Sequence, residues 1–151
     1  MTISIGIRVT RSSAQAAESA INFTLLRGKE ALTDVITDLT LETHRLAVRG
    51  VQRGPATGRT YRKSAPRRVH TASSPGEYPA SDTGRLASSI KLQLPMVGSR
   101  NPVGQVYTNL RYGVYLELGT VKMRARPFLL RSFNTAVADA ALRLRAKYGG
   151  R

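Results

Sequence analysis

KEALTDVITDLTLETHRLAVRGVQ, residues 29–52, is the stretch on which the fold turns. Leu32, Val35, Ile36, Leu39 and Leu46 recur at helical spacing and share one face, with Thr43 as its polar step. Glu30, Asp34, Asp38 and Glu42 fall on the opposite side, and Arg45, Arg49 and Arg53 follow toward the C-terminal end. Acid early and base late complements the helix dipole. Gly54-Pro55 stops the helix. Each apolar residue on the stripe contributes about 1.5–3 kcal/mol when fully buried. A helix of this kind is marginal alone in water, so it must lie on a sheet.

Strand patterns stand on both sides of it. Ile3, Ile5, Ile7 and Val9 alternate with small or polar residues, so residues 2–10 read as a half-buried strand. Ser12 and Gln15 form a candidate capping box for a short Ala-rich helix through Ile21. Downstream, 88–94 alternates with Ile90, Leu92 and Leu94 on one face. A turn-rich connection with Gly98, Pro102 and Gly104 leads into 105–118, where Val106, Thr108 and Leu110 are followed by Tyr112, Val114, Leu116 and Leu118. These two stretches are expected to pair as a hairpin. The last helix is expected to open at Pro127, to carry a stripe of Leu130, Phe133, Val137, Ala141, Leu144 and Tyr148, and to end at Gly149-Gly150. Arg143, Arg145 and Lys147 again suit the dipole. The order predicts a single α+β domain over residues 1–151, with the long helix and the C-terminal helix packed on one face of a small, mainly antiparallel sheet.

Residues 54–82 contain four prolines and no periodic apolar pattern, and read as a long loop. Loops of this length in compact domains are usually functional or ordered by a partner. Between Arg45 and Arg68 there are eight basic residues and no acid: Arg45, Arg49, Arg53, Arg59, Arg62, Lys63, Arg67 and Arg68. Two readings stand side by side. One is a solvated basic arm; the other is an arm that orders against an anionic surface. Tyr61 among Arg59, Arg62, Lys63, Arg67 and Arg68 makes these six the candidate contacts to a partner or to DNA, with phosphates neutralised and a base stacked on the ring. No recognised reader motif accompanies them.

Composition narrows the classes. The 151 residues carry 24 Lys and Arg against nine Asp and Glu, a formal charge of +15, so the surface seeks nucleic acid, an anionic membrane or an acidic protein. The absence of cysteine excludes disulfides, zinc–thiolate sites and thiol nucleophiles. There is no tryptophan, and aromatics are 6% of the chain, which argues against an aromatic-lined ligand pocket. No leader or spanning segment is expected, and the protein is expected to be soluble and made in a cytoplasm. His44 and His70 are the two histidines, and neither has a ligand or carboxylate at a useful sequence spacing. No phosphate loop, nucleophile elbow or HExxH motif is present. The residues give no support to catalysis, a metal or a cofactor.

Two stretches have unusual composition without catalytic chemistry. The first, 74–90, reads SPGEYPASDTGRLASSI, an extended lead whose prolines set φ and whose Asp82-Thr83-Gly84 turns the chain. The second is YGVYLELGT at 112–120, followed by MRARPFL at 123–129. Glu117, if buried, is expected to need Arg124 or Arg126 as its partner. The plainer reading is that both are ordinary structural junctions.

At these residues the chain resembles the head–tail joining family of tailed bacteriophages, whose members are also described as neck, tail-completion or minor tail proteins. The resemblance rests on three motifs in order over 74–135. They comprise Pro75, Gly76, Asp82, Thr83, Gly84 and Leu86; then Tyr112, Tyr115, Glu117, Gly119 and Thr120; then Met123, Arg126, Pro127 and Phe128. It implies an α+β fold, no enzymatic activity and no cofactor. It also implies incorporation into the virion neck, after assembly in the host cytoplasm, as a ring of copies of itself, which is expected to be six-fold or a multiple of six. The implied partners are the head-completion or portal-side protein and the tail-terminator or tail-tube protein. No membrane is involved. The basic stretch 59–68 lies outside the motifs, so the resemblance assigns it no role. Six copies at +15 each place about +90 in one ring, which calls for counter-charge from an acidic neighbour or DNA. The rival reading is a free nucleic-acid-binding protein that uses the basic arm without sequence preference.

Overall fold

The computed structural model describes residues 29–64, 67–97, 99 and 101–148. The strand expected at 2–10, the helix at 12–21 and the Gly149-Gly150 stop lie outside them. In chain order the elements are α1 (Lys29–Arg53), β1 (Thr60–Ser64), β2 (Arg67–Thr71), α2 (Arg85–Ser89), β3 (Ile90–Gln93), β4 (Gln105–Thr108), α3 (Arg111–Leu118) and α4 (Leu129–Tyr148). The α+β class holds, with antiparallel pairing throughout the described strands. These strands form two separate two-stranded ladders, β1–β2 and β3–β4.

The β3–β4 hairpin follows the alternation of its sequence. Ile90 pairs with Thr108 and Leu92 with Val106. Ile90, Val106 and Thr108 are buried and Leu92 is partly so, while Lys91 and Gln93 are exposed. The inward side packs on α1, and α4 runs along α1 as its other neighbour. The core gathers Ala47, Val51, Leu86, Ala87, Ile90, Val106, Phe128 and Leu129. On α1 the most enclosed apolar positions are therefore Ala47 and Val51, in the C-terminal half, whereas Leu32, Val35, Ile36 and Leu46 are only half-buried. Small side chains serve there because neighbouring elements come close. At Gly50 an added Cβ would overlap the ring of Tyr78, and at Gly104 it would overlap the Thr40 hydroxyl. Threonines tolerate the buried face where they bond within the helix: Thr40 Oγ1 donates to the Ile36 carbonyl at 2.7 Å.

Three sequence expectations need correction. The strand expected across 105–118 ends at Thr108, and 111–118 is the helix α3. Apolar residues there are dense enough to satisfy both periods. The helical period is decided by Gly113 and Glu117, one turn apart and both buried, while Tyr112, Tyr115 and Leu118 face outward. Gly119, at φ 78°, ends the helix and bonds back to the Tyr115 carbonyl at 2.9 Å. The final helix opens at Leu129 and not at Pro127. Its buried face is Leu129, Ser132, Phe133 and Ala136, and Leu130, expected on the stripe, is 53% exposed.

The third correction concerns 54–82, which is not a structureless loop. Thr60 pairs with Thr71, Tyr61 with His70, Arg62 with Val69, Lys63 with Arg68 and Ser64 with Arg67. The ladder continues below the strands through Gly58 N–H to the Ala72 carbonyl (2.7 Å) and Ala72 N–H to the Arg59 carbonyl (3.0 Å). The carboxylate of Glu77 then closes the base, accepting from the Thr57 hydroxyl and the Ser74 N–H, each at 2.8 Å. The basic arm is a hairpin with its own backbone bonding.

Candidate functional site

All six candidate contact residues lie on this hairpin: Arg59 just before β1, Tyr61, Arg62 and Lys63 on β1, and Arg67 and Arg68 on β2. Arg59, Tyr61, Arg62 and Arg67 are exposed, and the Arg59 guanidinium lies 5.6 Å from the centre of the Tyr61 ring. Antiparallel register puts Tyr61 and His70 together on one face, with Arg62 and Val69 on the other.

The motif residues, by contrast, meet at a junction among α2, α3 and the start of α4. Glu117 sits at its centre, 7% exposed. One carboxylate oxygen accepts the N–H groups of Phe128 (2.8 Å) and Leu129 (3.0 Å), and the other accepts that of Leu130 (2.8 Å). Its partner is thus the N-terminal turn of α4 and not an arginine. The negative charge satisfies orphan donors and faces the positive end of the helix dipole. Pro127, which lacks an N–H, precedes this set without leaving a donor unpaired. Arg126 is used differently. Its N–H bonds the Leu116 carbonyl at 2.6 Å, and its Nε bonds the Ser73 carbonyl at 3.0 Å. Arg124 is exposed.

The first motif stretch is tied to the others through backbone. Gly76, at φ 81°, donates its N–H to the Ala125 carbonyl at 3.0 Å, and its own carbonyl accepts from Arg131 at 2.8 Å. Thr83 Oγ1 accepts from the Arg85 N–H at 3.4 Å, and Gly84, at φ 74°, caps α2. Leu86 and Phe128 are buried beside Gly113, where an added Cβ would lie 3.7 and 3.9 Å from them and 2.9 Å from Thr108. Thr120 and Met123 exchange backbone bonds in an isolated bridge. Tyr112 and Tyr115 remain 40% and 46% exposed, and Pro75 is exposed.

Sequence spacing did not reveal one further arrangement. Between the Tyr61–His70 face of the hairpin and the α2–α3 region lies a cleft of about 890 Å³, whose lining includes Tyr61, Pro75, Asp82, Arg85, Tyr112 and Arg126. His70 Nδ1 stands 3.8 Å from Asp82 across the ladder-to-turn gap. Burial pushes the Tyr112 hydroxyl above its ordinary pKa, and the nearby Arg85 charge partly opposes this. His44 is a structural tie: its Nε2 lies 3.2 Å from the Ile90 carbonyl, joining α1 to β3.

Among the described residues, no group of three or more His, Cys, Asp or Glu side chains is placed to hold a metal ion. No described helix is long and apolar enough to cross a membrane. No family model, curated protein or solved structure matches the chain.

Proposed function

We propose that this chain is a structural component of a tailed-phage virion. In this reading it is a neck or tail-completion protein that joins the DNA-filled head to the tail by ring assembly and performs no catalysis. The observation that carries the reading is the use of the three motif stretches. Gly76, Glu117, Gly119, Arg126 and Phe128 are spent on backbone bonds, caps and packing at one junction. Residues used this way maintain a scaffold; they do not present reactive groups.

Two surface features suit assembly. The β3–β4 connection exposes Met96, Val97 and Val103 at 79%, 94% and 48%, and the outer side of α3 and the turn after it expose Tyr115, Leu118 and Val121. Apolar groups displayed together on a highly charged protein mark contact surfaces. The basic hairpin is the arm that meets an acidic head-side or tail-side neighbour, or the DNA end, and so relieves the repulsion of about +15 per copy in a closed ring.

The test pairs native mass spectrometry of the purified chain with analysis of particles assembled from a genome that encodes it. The expected results are a closed oligomer, most simply a hexamer, and the chain present in purified particles. Replacing Arg59, Arg62, Lys63, Arg67 and Arg68 by Gln should lower the number of joined head–tail particles. A chain that stays monomeric and is absent from particles overturns the proposal, and undiminished joining by the Gln variant removes the arm from it.

A further inference from the structure

We propose that the cleft between the β1–β2 hairpin and the α2–α3 region binds single-stranded nucleic acid. Phosphates meet Arg85, Lys122, Arg124 and Arg126, and bases stack against Tyr61 and Tyr112. All six residues line the cleft. The four cations come from two separate parts of the chain, Arg85 at the start of α2 and Lys122, Arg124 and Arg126 in the turn after α3, and the fold brings the two together.

Three of the described acids are committed elsewhere. Glu117 holds the start of α4, Glu77 closes the base of the hairpin, and Glu42 is bound to Arg45. Among the described lining residues Asp82 is the one acid, and it stands beside His70. Four like charges around a concavity raise its potential and draw in an external anion. Arg126 adds a half-buried cation already fixed in place by the Ser73 carbonyl, which spares part of the ordering cost on binding.

Charge alone does not separate nucleic acid from an acidic peptide; the aromatic rings do. Tyr61, on β1, and Tyr112, on α3, both line the cleft and are 46% and 40% exposed. An acidic peptide would neutralise the cations through its carboxylates, which gain nothing from a ring face. A nucleotide strand uses both, because every base offers a flat face to a ring while its phosphate meets a cation. A cleft of about 890 Å³ takes a few nucleotides of a single strand but not a double helix. This inference rests on the cleft alone: a chain that forms no ring still binds the strand if it is correct.

Fluorescence anisotropy of the full chain with labelled dT12, between 50 and 200 mM salt, tests it. Lys122→Gln with Arg124→Gln removes two exposed charges from the cleft, and Arg49→Gln with Arg53→Gln removes two exposed charges from α1, outside the lining. The cleft pair should weaken binding at least about tenfold and lower the salt slope by about 1.4, or 0.7 per lost single-strand phosphate contact. The α1 pair should stay within about twofold. Tyr61→Leu, which keeps the strand residue apolar, should cost at least about fivefold through lost stacking. Equal losses in the two charge pairs, or a duplex or polyglutamate of matched charge binding as tightly as dT12, would overturn the proposal.

Discussion

Replacing Glu117 by Ala should unfold the junction between α3 and α4 more readily than any surface charge change can. Its carboxylate accepts three N–H groups, and two of them belong to Phe128 and Leu129, which are fully enclosed. Each buried donor left without an acceptor costs about 1–3 kcal/mol, so the two together cost about 2–6 kcal/mol. The variant also loses the favourable dipole interaction, but it no longer has to desolvate a carboxylate, which offsets part of the loss. A net loss of about 4 kcal/mol is expected. With a urea slope of about 2 kcal/mol per molar, the unfolding midpoint falls by roughly 2 M. Glu117→Gln keeps one carbonyl oxygen for two of the donors but turns its amide toward the third, and should lose about 1–2 kcal/mol. Arg124→Ala should stay within about 0.5 kcal/mol of the parent, because Arg124 is exposed and does not hold Glu117. A Glu117→Ala midpoint within about 0.3 M of the parent, or an Arg124→Ala loss equal to it, would refute the assignment of the carboxylate to the helix start.

Gly50→Ala should destabilise by about 1–3 kcal/mol through overpacking against Tyr78, although alanine is favoured over glycine in a helix by about 1 kcal/mol. The ring cannot easily yield, since its hydroxyl lies 3.1 Å from Ser132 Oγ and Arg131 lies 4.9 Å from its centre; a stabilised variant in urea titration would contradict the packing. On α4, Leu129→Ala should lose about 2–5 kcal/mol and Leu130→Ala no more than about 0.5 kcal/mol, as read by thermal melting. The reverse order would restore the stripe read from sequence. The hydrogen bond from Arg45 holds the Glu42 carboxyl below its ordinary pKa, with burial acting against it. A lowered folded-state pKa stabilises above the unfolded value and is lost as pH falls through the folded one. The deficit of Glu42→Gln, measured in urea at neutral pH, should therefore shrink to nothing in strong acid, and a deficit that persists there would show that the pair is not its source.

Within the described residues, the local signals of this sequence determined α1, the β3–β4 hairpin and the presence of α4, because amphipathic spacing and turn residues act over a few positions. They also marked Glu117 as a residue that burial would oblige to find a partner. What that partner is, only the tertiary structure decided. A carboxylate is satisfied by any well-placed donors, and the N–H groups at the start of α4 leave no trace in side-chain identity. The same reason explains α3, where Tyr112, Val114, Leu116 and Leu118 fit a strand as well as a helix until Gly113 and Glu117 must both turn inward. It explains the basic hairpin too. Its strands are too polar to announce themselves by burial, and they are held by backbone bonds and by a base closed through Glu77, contacts that composition does not record.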